Sequence, residues 1–554
     1  MEKTFEGYFS FEAILGDLVK WRIAGKDVDG TLPPRKMWSR AGVKDRKGVD
    51  PAVVRKQAIF RTIMRYCKAR PQLPPHLYKS GGNRNRFSST GKLDSTTWGR
   101  KLMELVEGVR EAVFSGKVAF EPPKMFRIAK GREDGKMTYR EVASFERLAD
   151  RVILSRMTAY VRDRLEGILS DRCYSFRRDR DVTHQQAVKH LQEYRARFPV
   201  GSLFVAECDI RKFFDSISHE VVRRRWNEVG FDVRAGKVLE AYLGVYAVGA
   251  VAQERDPPEK RDADGGMAVA QERDPPDGVR RGLPQGGSFS TVLANLVLAE
   301  ADRAVMAMDD GRLFYARYCD DVVFVHPDEA MCRRAMDAYA AALDRLDLPM
   351  HPVEAFVYRR EDDETTRYYS LKSKGPFRWR EAVRGEVNCA PWVSFLGSQV
   401  CYDGETRIRK ESVEKHIRSL GRTTAAAVRE LQAGTLEKAA RPEIAEWFGR
   451  FRNGLIAKGV GYVTAKVKDC DMCWAGAFPH VTPCVETRMQ MRRLDRVREG
   501  MLAKVAALLP ARYYMTGHRY KGHPFSYSGF LEKAVRPTNM DRRRRVAVLP
   551  YSEL

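Results

Sequence analysis

The sequence predicts an α+β protein with a ferredoxin-like layer at its centre, and three stretches carry that prediction. The first is an apolar run, Leu203 to Cys208, that enters Asp209 and an aromatic turn before a helix from Ser218. The second, Leu313 to His326, is a pair of β-prone runs joined at Asp320-Asp321, which reads as a hairpin with an acidic tip. The third is the helical spacing on either side of it. Phe289 to Met308 precedes the hairpin; Met336, Tyr339, Leu343 and Leu346 share one helical face after it, and a strand follows from Pro352 to Arg359. Strand, helix, hairpin, helix and strand form layers in which Asp209 and the Asp320-Asp321 pair would sit at adjacent strand ends.

Two adjacent carboxylates at a hairpin tip repel each other unless a multivalent cation lies between them. Oxygen ligands suit Mg²⁺, and two ions roughly 3.5–4 Å apart serve in-line displacement at phosphorus. The same dipeptide can mark a solvated turn, as Asp309-Asp310 before Gly311 does. Between the acidic segments lies Gly282-Leu283-Pro284-Gln285-Gly286-Gly287-Ser288.

The blocks Asp209 to Ile217, Leu283 to Gly286 and Tyr318 to Asp321 resemble, in order, the catalytic blocks of the reverse transcriptases of bacteria and mobile introns. The resemblance spans residues 120 to 410. It implies a polymerase right hand with a ferredoxin-like palm and fingers, a helical thumb and a helical C-terminal region. It further implies that Asp209, Asp320 and Asp321 are catalytic and that, with Ile210, they form the set for two Mg²⁺ ions, which Mn²⁺ can replace. Gln285 and Gly286 would lie beside the incoming nucleotide and template, and Tyr318 beside nucleic acid. Phe214, or its neighbour Phe213, would close the pocket beneath the ribose and select deoxynucleotides by clashing with a 2′-hydroxyl.

The chain has 554 residues, 44% apolar and 31% charged, and a formal net charge of +25. That surplus steers toward a polyanion, with a solubilising surface as the plainer alternative. Its longest apolar stretches, such as Phe289 to Ala299, are about half the ~20 residues a membrane span needs. Glu2 and Glu6 replace the basic start of a secretory signal, and ten scattered cysteines suit a reducing compartment. A cytoplasmic protein without a membrane partner is expected.

In chain order, residues 1–100 read as an accessory, mainly helical segment that opens with an amphipathic run from Phe9 to Trp21. Lys79 to Gly91 is a linker or a loop touching nucleic acid. Fingers and palm occupy 101–404. There, a helix from Trp98 to Ser115 precedes strands at Phe120 to Ile128 and Lys136 to Val142. The spacing Gly131…Gly135-Lys136 is one residue short of a phosphate loop, and Met137 stands where Ser or Thr should hold Mg²⁺. A hairpin is the better reading, with Lys136 and Arg140 available to the triphosphate. A helix from Leu148 to Leu165 follows. Cys173 to Arg178 offers rings and guanidinium groups for bases and phosphates, or buried aromatics flanked by solvated arginines.

Residues 247–280 read as a surface-loop insertion, because Ala250 to Pro258 recurs as Ala268 to Pro276. Trp392 to Val400 resembles the family's primer-grip strand and places Leu396 and Gly397 near nucleic acid. The thumb is assigned to 405–465. Val413, Ile417 and Leu420 form its apolar face, with Lys415, Arg418 and Arg422 nearby as nucleic-acid contacts. Residues 466–554 form a basic helical end that includes a helix from Glu486 to Leu509. Cys470, Cys473, His480 and Cys484 are four potential zinc ligands in a spacing unlike a zinc knuckle. Tyr513, Tyr514, Tyr520 and Tyr527, interleaved with cations, suit single-stranded nucleic acid or priming through a hydroxyl. Arg542 to Arg545 suits the same partner or a solvated tail.

The function these readings imply is RNA-directed DNA synthesis from dNTPs, with an RNA template, a specific non-coding RNA encoded nearby, and a DNA product. Oligomeric state stays open. The long N-terminal and helical C-terminal parts resemble stand-alone bacterial reverse transcriptases of abortive infection and phage defence. The alternatives are a group II intron-type maturase, an RNA-synthesising polymerase, and a catalytically silent RNA-binding protein. Intact Asp209, Asp320 and Asp321 argue against the last.

Overall fold

The computed structural model describes residues 3–11, 13–14, 17, 97–133, 136–177, 182–198, 201–245, 280–354, 371–381, 388–460, 463–464, 467–468, 478–510, 527–529 and 531. Lys79 to Gly91, both copies of the duplicated segment, Cys470, Cys473, Tyr513, Tyr514, Tyr520 and Arg542 to Arg545 lie outside them. In chain order the elements begin with α1 (Phe5–Tyr8), α2 (Thr97–Ser115), β1 (Lys124–Glu133), β2 (Lys136–Ser144), α3 (Leu148–Leu165) and α4 (His184–Ala196). Next come β3 (Leu203–Cys208), α5 (Phe213–Ser216), α6 (His219–Val229), α7 (Val233–Gly244) and α8 (Ser288–Met306). The hairpin β4 (Phe314–Tyr318) and β5 (Asp321–His326) leads to α9 (Glu329–Arg345), β6 (Val353–Glu354) and β7 (Ser373–Trp379). The rest are β8 (Cys389–Ala390), β9 (Trp392–Phe395), β10 (Ser398–Cys401), β11 (Thr406–Ile408), α10 (Lys410–Gln432), α11 (Arg441–Val460), β12 (Val463–Thr464), β13 (Val467–Lys468) and α12 (Val485–Ala506).

Two compact units interleave along the chain. One takes Met1–Arg178, Asp209–Asp309 and Ala335–His351; the other takes Asp179–Cys208, Asp310–Arg334 and Pro352–Leu554. Among the described residues no helix is long and apolar enough to cross a membrane.

The first unit is built around α8, which buries residues on nearly all sides from Phe289 to Val305 and so packs as a central helix, against α3 and α6 among others. The Asn295 side chain on α8 donates to the Ser175 carbonyl at 2.7 Å and accepts from the Ser175 hydroxyl at 2.9 Å, pinning the turn before it. Of the two readings of that turn, the buried one holds for Tyr174 but not for Phe176, which is exposed, nor for Arg177, whose side chain is buried rather than solvated. Tyr174 is buried, and the Arg177 guanidinium is spent on Glu166 and on the carbonyls of Ser170 and Cys173. The β1–β2 hairpin begins at Lys124, later than its sequence suggests, because Pro122 and Pro123 have no N–H for a ladder. Phe120 instead enters a ring cluster with Phe145 and Tyr242 at 5.8 and 6.1 Å.

In the second unit a sheet runs in the order β4-β5-β3-β7-β6, with β8 beside β7. Phe204 faces His326 and Cys208 faces Val322 in the antiparallel β3–β5 ladder. Sequence periodicity misses β7, since Gly375 and Pro376 read as breakers. Pro376 lies where the β3–β7 register shifts between Val205 and Glu207, and that irregularity accommodates a residue without an N–H. Glu207 and Lys374 pair across this ladder, the lysine almost fully buried. The single primer-grip strand read from Trp392 to Val400 is instead the tight hairpin β9–β10. Leu396 and Gly397 both have positive φ, 51° and 81°, as a two-residue type I′ turn requires.

Farther along, α10, α11 and α12 share a core that includes Leu420, Phe448, Leu455 and Leu502. Tyr527 does not face solvent. It is fully buried, with its hydroxyl 2.9 Å from His416 Nε2, and so is unavailable for stacking on bases or for priming. Leu502→Ala should cost about 2–5 kcal/mol, the usual range for a truncated core leucine, read from denaturant unfolding of the full chain.

Candidate active site

In the second unit the site begins with the β4–β5 turn. Tyr318 faces Asp321, so Cys319 and Asp320 alone close the hairpin. Cys319 carries φ 61° and is the only positive-φ residue of the two, the pattern of a type II′ turn, in which glycine is usual at that place. Asp320 is half-buried and Asp321 exposed. Burial, then the charge of Asp320, pushes the Cys319 thiol up, and burial does the same to the Tyr318 hydroxyl. The Tyr318 ring meets His184 edge-on at 6.1 Å.

In the first unit the block from Asp209 is held through its backbone. The Asp209 carbonyl accepts from His351 N–H at 2.9 Å, Arg211 N–H donates to the Pro349 carbonyl at 2.8 Å, and Ile210 bridges to Met350 between them. Lys212, at φ 45°, turns the chain into α5. There the two adjacent rings separate: Phe213 is buried and Phe214 half-buried. The residue with a ring to offer a ligand is therefore Phe214.

Leu283 to Gly286 is laced to that turn and to β2. Leu283 N–H donates to the Phe214 carbonyl at 2.8 Å, Gln285 Nε2 donates to Asp215 Oδ1 at 3.2 Å, and Ala143 N–H donates to the Gln285 carbonyl at 2.9 Å. Gly286 sits at φ 93°, and a Cβ there would stand 2.5 Å from Val142 Cγ1. Glycine is demanded twice, by conformation and by contact. Exposed Arg140 lies two residues before Val142 on the same face of β2, and Lys136 pairs with Glu133 where the hairpin turns. The structure thus joins Phe214, Gln285, Gly286 and, by register, Arg140. It adds Asp215, which sequence reading did not single out although it lies inside the first block.

A second group of candidates sits on α10. Exposed Lys415, Arg418 and Arg422 recur at helical spacing and continue to Arg429. The β9–β10 turn abuts the start of this helix, since Arg409 N–H donates to the Gly397 carbonyl at 3.0 Å and Ser412 Oγ to the same oxygen at 3.4 Å. Leu396 and Gly397 are both half-buried.

Asp209 belongs to the first unit, Asp320 and Asp321 to the second. Among the described residues no group of three or more His, Cys, Asp or Glu side chains is arranged to hold a metal ion. His480 and Cys484 are described, but the two cysteines of the same motif are not.

Residues 133–353 match the family model described as reverse transcriptase (RNA-dependent DNA polymerase), and all three blocks fall inside the match. This stretch is therefore a reverse transcriptase domain by its match. No curated protein matches it. Among solved structures, telomerase from Candida albicans in complex with a TWJ fragment of telomeric RNA is similar at 12% identity, over 74% of this chain and 63% of that one, with a TM-score of 0.31. The chain thus spans less than two thirds of the length of that telomerase. A C-terminally truncated apo telomerase from Candida tropicalis is similar at 10% identity, over 56% and 60%, with a TM-score of 0.32. Apo telomerase from the same organism is similar at 9% identity, over 91% and 82%, with a TM-score of 0.36. Likeness at this level does not bear on the reaction.

Gly286→Ala should destabilise the Leu283–Gly286 segment, by about 1–3 kcal/mol for the strained φ alone. Adding Val142→Ala should recover the steric part of the loss and leave the conformational part, as read by thermal unfolding of the two variants.

Proposed function

We propose that this chain extends a primer with deoxynucleotides on an RNA template, with Asp209, Asp320 and Asp321 as the catalytic carboxylates and the set, with Ile210, for two Mg²⁺ ions. The observation that carries the reading is that the family match over residues 133–353 takes in all three blocks, with Asp320 and Asp321 consecutive at a two-residue hairpin turn. The donor type suits the ion, although the described side chains are not gathered around one point. Carboxylate oxygens are what a hard divalent cation takes, and they sit on a hairpin tip that leaves Asp321 open to solvent. When bound, such ions supply charge neutralisation at the triphosphate and activation of the attacking hydroxyl.

The chain's own residues then position. Phe214 would lie under the sugar, held by the bond from Leu283 to its carbonyl. Gln285, oriented by Asp215, and Gly286 would border the nucleotide, with Lys136 and Arg140 toward its phosphates and Tyr318 toward nucleic acid. In this reading β1–β2 is the fingers hairpin, the β4-β5-β3-β7-β6 sheet the palm, β9–β10 with Leu396 and Gly397 the primer grip, and α10 the thumb. Lys415, Arg418 and Arg422 would follow the backbone of the duplex. From the resemblance of the long N-terminal and helical C-terminal parts we infer a cytoplasmic enzyme of antiviral defence, and from the charge of +25, much of it outside the blocks, a structured non-coding RNA as its partner.

Asp320→Asn removes one charge and almost no volume. Primer extension should fall by more than the roughly 100-fold that changes outside the metal's own ligands reach, with RNA affinity nearly intact; wild-type extension would refute the assignment. Phe214→Ala should admit ribonucleotides while the wild type discriminates against them, measured as the ratio of kcat/KM for the two sugars. A wild type that uses both equally well would transfer the reading to an RNA-synthesising polymerase.

A further inference from the structure

Away from the three blocks, the first unit has a recess of about 580 Å³ where α6, α8 and α9 meet, lined by Arg224, Arg225, Glu228, Glu300, Arg303 and Arg345 together with Ala304. Four guanidinium groups face two carboxylates, which leaves two positive charges uncompensated. Glu300 is shared by Arg224, Arg225 and Arg345 at 3.7, 3.9 and 3.5 Å, loose contacts rather than the close bidentate pairing a guanidinium forms with a matched anion. Arg303 has no ion-pair partner among the described residues. Arg225 is almost fully buried and pairs closely with Glu228, but its buried Nε has no hydrogen-bond acceptor among the described residues.

A network meant only to pin three helices would match its carboxylates to its cations. This one holds an excess of cations, the side chains of Arg224 and Arg345 being 48% and 56% exposed, over a buried guanidinium with donor capacity to spare. We propose that the recess is a phosphate-binding site that grips the backbone of a single-stranded nucleic acid. The lining offers neither an aromatic ring to stack on a base nor an amide or hydroxyl side chain to read its edge, so recognition would go through phosphates alone. That feature favours a strand, which presents phosphates in series, over a free nucleotide, whose base would find nothing to meet. The site is additional to the polymerase reading and uses none of its residues.

The test uses the full chain and a fluorescein-labelled oligouridylate, with affinity measured by anisotropy at several potassium chloride concentrations. No nucleotides are present, so an inactive polymerase leaves the result intact. Arg303→Gln with Arg345→Gln should weaken binding and reduce the slope of log affinity against log salt by about 1.4, from two contacts at roughly 0.7 each on a single strand. Glu300→Gln should act in the opposite sense, freeing three arginines and tightening binding. If the ion pairs serve only to hold the helices, Glu300→Gln lowers the melting temperature, neither variant moves the slope, and the proposal fails. Inorganic tripolyphosphate, titrated by calorimetry, separates the two sources of phosphate. Saturable binding that the double variant loses, with the oligouridylate slope unchanged, would assign the recess to a free anion and overturn the strand.

Discussion

The turn between β4 and β5 has only two residues, and one of them, Cys319, must take a left-handed φ for the hairpin to close. A residue other than glycine held there costs on the order of 1–3 kcal/mol and persists only where its surroundings over-determine it. They do so here: Cys319 is itself half-buried, and the strands on either side are buried from Phe314 to Arg317 and from Val322 to His326. Because the turn is this short, two consecutive carboxylates are delivered to the hairpin tip with no slack in the backbone between them. A longer loop would present the same aspartates without fixing where their oxygens lie.

The sheet behind the tip is what makes the turn rigid. β3 is paired on both sides, by β5 and by β7, and the Glu207–Lys374 pair ties it to β7 two residues before Asp209. A buried ion pair adds little net stability compared with apolar residues of similar size, but removing one partner strands a charge. Its effect is to favour one register, since a slip by one residue would turn Glu207 to the opposite face and separate it from the lysine. Register is the quantity that decides which residues follow Cys208 and precede Val322 at the strand ends.

In the first unit, backbone bonds do comparable work. The Leu283–Gly286 segment is bonded to the Phe214 turn on one side and to Ala143 on the other, and Gly286 lets Val142 approach where any Cβ would intrude. The backbone of Phe214 is held by the Leu283 N–H, and its ring rests against that of Phe213 at 5.2 Å. A side-chain bond from Gln285 to Asp215 then sets the direction of the glutamine amide.

Much of this was legible in the chain. The apolar, β-prone runs at Leu203 and Leu313, the helical faces around Phe289 and Met336, and the acidic pair at a predicted hairpin tip all follow from local pattern and turn chemistry, which depend on near neighbours. Tertiary structure was needed wherever the outcome rested on a distant partner. β7 forms despite Gly375 and Pro376 because β3 accepts it at a register irregularity, and the strand read at Trp392 folds back because Leu396 and Gly397 both turn left-handed. Phe213 and Phe214 are equivalent as letters, and only the packed core says which ring is spent on it. Tyr527 reads as an aromatic among cations, yet His416, 111 residues away in the chain, takes its hydroxyl into the interior. The sequence by itself determined the kinds of element and the chemistry of the carboxylates, because those reside in single residues and short spacings. Which side chains remain free to act was decided only by the fold, because burial and register are properties of pairs that the chain order does not bring together.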